Sequence, residues 1–186
     1  HSFPTRRSSD LLQIDQNHPI LNYNIAHCYE ALEVFPEAIR SYENALKTKP
    51  AWPEAIRDFS NLLLTCNKTK EAQNLVQRSL RLYPNDASML CVLGQIFLTQ
   101  YDFDSAEKTF KKANSITPEN VEILSGLAEA LEKGEKIQEA LDAIENAIAI
   151  EPENLDLQKQ LAGTLLSASD FEEAFRKIDT LYKENE

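Results

Sequence analysis

His18, His27, three cysteines and a large set of carboxylates are the side chains that could carry chemistry. None stands at a working spacing. His18 precedes Pro19, with no acid at a triad-like or metal-like distance along the chain. His27 and Cys28 are adjacent, so on a helix they point about 100° apart and do not chelate one ion. Cys28, Cys66 and Cys91 are odd in number and lack disulfide or metal spacing. Glu129 and Glu132 lie one helical turn apart. Paired acids transfer protons only where a dry pocket moves one pKa, and a solvated acidic helix supplies none. The four glycines (Gly94, Gly126, Gly134, Gly163) are scattered and make no phosphate-cradling loop. The chain is therefore expected to hold no catalytic constellation, metal site or cofactor, and not to be an enzyme.

The elements that would position these residues are set by a period. Ala38, Ala72, Ala106, Ala140 and Ala174 stand 34 residues apart, and Pro50, Pro84, Pro118 and Pro152 keep the same step. A fixed period of this length means one supersecondary unit copied along the chain. Aligned on it, Ile25, Phe59, Leu93, Leu127 and Leu161 form a large apolar column. Ala26, Ser60, Gly94, Ala128 and Ala162 form a small one, followed by Tyr29, Leu63, Phe97, Leu131 and Leu165. Tyr42, Val76, Phe110, Ile144 and Ile178 follow the alanines by four residues. Apolar residues recurring at three and four predict two helices per repeat. The small columns predict close helix crossings. Each proline stops a second helix. Asp86, Asn120 and Asn154 after it, and Asp102 and Asp170 inside a repeat, are expected helix caps.

These columns resemble the tetratricopeptide repeat: a large apolar residue, Leu-Gly or Leu-Ala and Tyr on a first helix, then Ala, an aromatic and Ala on a second, and a closing Pro. The repeat from Ala87 to Asn120 matches best, through Leu90, Leu93, Gly94, Phe97, Ala106, Phe110, Ala113 and Pro118. The resemblance covers about residues 11–186, with Asn22 and Gln158 replacing the first large residue and Thr69 an aromatic. It implies an all-α fold, a right-handed α-solenoid of antiparallel helix pairs. The expected repeats are 19–52, 53–86, 87–120, 121–154 and 155–186, after the end of a truncated preceding repeat at 11–18. His1–Asp10 does not fit the repeat. It reads as the translation of a common sequencing-adapter tail and is set aside as an artefactual leader.

Composition narrows the partners. A net charge of −11 argues against nucleic acid, whose phosphates reward clustered Lys and Arg, and against anionic lipid. No run of apolar residues reaches the length of a membrane span. The cysteine usage fits a reducing, cytoplasmic compartment, with Cys28 and Cys66 packed as small apolar groups; export stays open because the true N-terminus is missing. The resemblance implies that first-helix side chains meet a protein or peptide partner on a concave groove. Those expected there are Tyr23, His27, Trp52, Arg57, Asn61, Cys91, Gln95 and Glu129. The first half offers aromatics and Arg, types that dominate binding hot spots; the second half is acidic, through Glu122, Glu129, Glu132 and Asp156. A suitable ligand has an apolar anchor and a basic stretch. The clamp that some family members use for a C-terminal carboxylate is incomplete: Arg57 and Asn61 fit it, but Val92, Glu122 and Gly126 do not. The expected role is a scaffold for protein partners; the alternative is the substrate-recruiting segment of a larger enzyme, such as a glycosyltransferase or signalling kinase.

Overall fold

The computed structural model describes residues 18–169 and 171–184. The leader 1–10, residues 11–17 and the Asp170 cap lie outside them. Ten helices follow in order: α1 (Pro19–Ala31), α2 (Phe35–Thr48), α3 (Pro53–Thr65), α4 (Thr69–Leu82), α5 (Ala87–Thr99), α6 (Phe103–Ile116), α7 (Val121–Lys133), α8 (Ile137–Ile150), α9 (Leu155–Ser167) and α10 (Phe171–Glu184). No strand occurs among the described residues. The first helices start at 19, 53, 87, 121 and 155, and the second helices at 35, 69, 103, 137 and 171, so both sets keep the 34-residue step.

The sequence writes the entry to most helices. Asp86, Asn120 and Asn154 accept backbone N–H groups at the heads of α5, α7 and α9. Asp102 does the same for Ser105 N at the head of α6. These side chains satisfy donors that a helix start leaves unpaired. The Nδ1 of His18 performs this task for α1, accepting from Leu21 N at 3.4 Å. Pro19 and Pro53 open their helices, where a missing N–H costs nothing.

A single turn type joins the helices within a repeat. Glu33, Asn67, Tyr101, Glu135 and Ser169 all have positive φ, between 57° and 62°, and stand 34 residues apart. After α1, Val34 N bonds Tyr29 O and Glu33 N bonds Glu30 O. The same pair of bonds recurs at Lys68 and Asn67, at Asp102 and Tyr101, and at Lys136 and Glu135. This is the Schellman closure, with one residue forced left-handed. Gly134 is not that residue; its φ is −85°. An L side chain in this region costs about 1–2 kcal/mol, which the array bears in each turn.

The core follows the columns. All five column alanines, from Ala38 to Ala174, are fully buried, as are Tyr42, Val76, Phe110 and Ile144. The chain divides into two compact units, residues 1–79 and 80–186. In the first, α1 packs on α2 and α2 on α3. In the second, α5 packs on α6, α6 on α7, α7 on α8, α8 on α9 and α9 on α10. The Phe110 ring of α6 lies between two glycines: a Cβ on Gly94 would come within 2.6 Å of it, and one on Gly126 within 2.5 Å. On the outer side of the second helices, Glu107 holds Lys111 at 2.8 Å and Lys136 at 2.7 Å. Hydrogen bonds from both ammonium groups keep the Glu107 carboxyl below its ordinary range.

One buried position departs from its column. Ser79 stands where Ala45, Ala113 and Ala147 stand elsewhere, and its buried hydroxyl has no hydrogen-bond partner. Leaving a buried hydroxyl unpaired costs about 1–3 kcal/mol. Ser79→Ala is expected to raise stability by about 1 kcal/mol. Chemical denaturation checks it, and a lowered midpoint would refute the reading.

Candidate interaction surface

In the first unit, α1 and α3 bring together side chains that lie 31 to 35 residues apart in sequence. Their centre is Asp58 on α3. Tyr23 donates its hydroxyl to Asp58 Oδ2 at 2.5 Å, His27 Nε2 lies 3.3 Å from the same oxygen, and Arg57 Nε donates to Oδ1 at 2.9 Å. Burial, followed by the bond to Asp58, pushes the Tyr23 phenol up to about 12. Tyr23 also packs edge-on against His27 and lies 4.7 Å, centroid to centroid, from Trp52. The outer face of Trp52 carries the Lys49 ammonium at 4.1 Å, a cation–π contact. Beneath them sits Tyr42, stacked on Phe59. Its hydroxyl donates to Glu30 at 2.9 Å and lies 3.4 Å from His27 Nδ1. Burial, and then the Glu30 carboxylate, drive its pKa far upward.

Tyr23, His27, Trp52 and Arg57 are thus one cluster, with Asn61 half-buried one turn beyond Arg57. Asp58 organises it, and sequence reading missed it. The signal available was the 35-residue interval from Tyr23, one more than the period. The same interval joins Ser125 to Gln160 at 2.7 Å and Glu132 to Ser167 at 3.0 Å. Within each unit, neighbouring first helices are therefore linked by polar contacts.

In the second unit, Gln95 donates to Glu122 at 3.1 Å, and Glu132 also receives the buried Thr164 hydroxyl at 3.0 Å. Glu129 is exposed on α7. An open cleft of about 410 Å³ lies between α7 and α9, lined by Glu122, Glu151 and Asp156 together with Val121 and Leu157. Cys91 does not share this surface. It is 3% exposed, and burial, reinforced by Glu122, pushes its thiol up to about 12. The expectation that it faces a ligand is corrected: Cys91 is packed among the apolar residues of α5, while Gln95 on the same helix stays partly exposed. The reverse correction applies to Cys28 and Cys66, expected inside. Cys28 is exposed and Cys66, capping α3, is half-buried. Among the described residues no group of His, Cys, Asp and Glu could hold a metal ion. No described helix is long and apolar enough to cross a membrane.

Comparison with known proteins agrees with this geometry. A family described as "YpiA-like, C-terminal tetratricopeptide repeats" matches residues 19–86, and the general tetratricopeptide repeat family matches residues 57–121. No curated protein matches the chain. Among solved structures, MamA from Desulfovibrio magneticus RS-1 superposes with a TM-score of 0.75 at 17% identity, over 91% of this chain and 94% of that one. A tetratricopeptide repeat protein from Parabacteroides merdae gives 0.78 at 19%, over 89% and 65%. The thermophilic protein TTC0263 from Thermus thermophilus gives 0.77 at 18%, over 89% and 90%. At such identities the likeness is one of fold. The two family matches together run from residue 19 to residue 121, and with the helix pairs and their 34-residue step they establish that the chain belongs to the tetratricopeptide repeat family.

Proposed function

We propose that the chain is a protein-interaction scaffold whose first-helix faces take a peptide or an extended segment of a partner. The observation that carries this reading is the Asp58-centred cluster. Large aromatic and guanidinium side chains stand at the surface already ordered by hydrogen bonds, so a partner that buries them loses little rotamer entropy. Tyr, Trp and Arg are the types on which binding energy concentrates. The first unit suits an apolar or aromatic anchor. The acidic face of the second, with Glu129 and the carboxylates lining the α7–α9 cleft, suits Lys and Arg side chains by charge. The scaffold works by holding partners and not by turning over a substrate.

A random peptide library displayed against the chain tests this. Selected sequences are expected to pair an aromatic or aliphatic anchor with basic residues. Arg57→Glu and Tyr23→Ala should each weaken such a peptide by more than about 1 kcal/mol, roughly five-fold or more in Kd, by calorimetry. Equal affinity for both variants and the parent chain would overturn the reading.

A further inference from the structure

Tyr101 is an awkward residue for its place. It holds the left-handed position of the turn between α5 and α6, at φ 59°, where the other turns carry Glu33, Asn67, Glu135 and Ser169. A bulky side chain suits that conformation worse than Asn does. At 81% exposed, the Tyr101 ring buries too little area to offset the cost. The ring meets Phe103 at the head of α6 instead, with centroids 6.2 Å apart and planes at 84°. Both line an open cleft of about 320 Å³ between this turn and the one that joins α7 to α8. Gly134 leaves space there, beside Phe103, where the equivalent residues Cys66, Gln100 and Ala168 carry side chains. The other junctions inside the two units lack the combination. The places of Tyr101, Phe103 and Gly134 are held by Glu33, Phe35 and Cys66 in one, and by Glu135, Ile137 and Ala168 in the other.

The cleft suits a cation. Aromatic faces carry negative potential and attract positive charge. Asp102, Asp104 and Glu135 line the same cleft against one ammonium, that of Lys133. Asp102 is engaged in capping α6 through Ser105 N, which leaves Asp104 and Glu135 for a ligand. A planar, weakly hydrated cation can stack on a ring and still fork to a carboxylate; a lysine ammonium keeps its water and does not stack. We infer that this cleft takes an arginine side chain of a partner protein, its guanidinium against the Tyr101–Phe103 pair and its N–H groups donating to Asp104 or Glu135. The site lies at the turns, and its test does not depend on the first-helix faces.

Titration of the intact chain with Nα-acetyl-arginine amide, whose only charge is the side chain, tests this by heteronuclear NMR. Saturable shifts are expected at Tyr101, Phe103 and Gly134. They should be absent with the citrulline analogue, which has nearly the same shape without the charge, and weaker with the lysine analogue. Tyr101→Asn suits the left-handed turn, so it should stay folded by circular dichroism while binding about two- to five-fold more weakly. Lys133→Met removes a like charge from the cleft and should bind more tightly. Shifts that citrulline reproduces, or that Tyr101→Asn leaves unchanged, would overturn the inference. So would equal binding of lysine, and tighter binding of free arginine would assign the cleft to a small molecule and overturn the protein partner.

Discussion

Replacing Phe110 with alanine is expected to lower stability by about 3–5 kcal/mol, the range for removing a fully buried aromatic ring. The ring is fully buried among Ala106, Ala113, Leu124 and Leu127 and fills the crossing of three helices. The glycines beside it supply a sharper test than the loss itself. Gly126→Ala would ordinarily gain about 1 kcal/mol of helix propensity. Here the new methyl meets the ring at 2.5 Å, and the backbone of Gly94 also crowds the same end of the ring, where a Cβ would fall within 2.6 Å. Overpacking is expected to win, for a net loss of about 1–3 kcal/mol. In the Phe110→Ala background the clash is gone, and the same Gly126→Ala change should become stabilising. A double-mutant cycle by urea denaturation reads this reversal of sign. Additive effects would mean the ring is not held between the glycines.

The second large effect concerns the tyrosines under the interaction surface. Tyr42 is fully buried, and its pKa is raised first by that burial and then by the bond to Glu30. Tyr23 is pushed up to about 12 by burial and by Asp58. An unfolded chain releases these protons near pH 10. Since the folded state holds them more tightly, their contribution is fully present below about pH 10 and is lost as pH rises through the folded values. Stability is therefore expected to fall steeply above pH 10, and ultraviolet absorbance of tyrosinate should show a late component that disappears in Tyr42→Phe and shrinks in Tyr23→Phe. At neutral pH, Tyr42→Phe removes one hydrogen bond to a carboxylate and should cost about 1–2 kcal/mol. A midpoint of unfolding that is flat from pH 9 to pH 12 would refute the assignment.

The repeat was readable because its constraints are steric and local. A crossing too close for anything beyond alanine or glycine marks itself at every copy, and Ala26, Ser60, Gly94, Ala128 and Ala162 are all buried where that column requires. Caps were readable for the same reason: Asp86, Asp102, Asn120 and Asn154 act on the next three residues. What escaped were features without a distinctive residue type. The left-handed turn position carries Glu, Asn, Tyr, Glu and Ser, so nothing announced it, and the one glycine nearby stands a residue too early. Asp58 looked like one acid among thirty Asp and Glu, because Tyr23 and His27, which it joins, come from another repeat. Cys91 misled because the exposed register of a first helix assumes a polar outer side, whereas Cys91 packs among the apolar residues of α5.

The polar contacts between first helices have a kinetic consequence. They join residues no more than 35 apart. Closing loops of that size is cheap, and chains built from near neighbours form their nuclei quickly. Any helix pair can seed the rest, and zippering then proceeds in both directions. A nascent polypeptide leaving the ribosome would have its opening hairpins settled while the closing ones were still untranslated, with no waiting for a distant terminus to return.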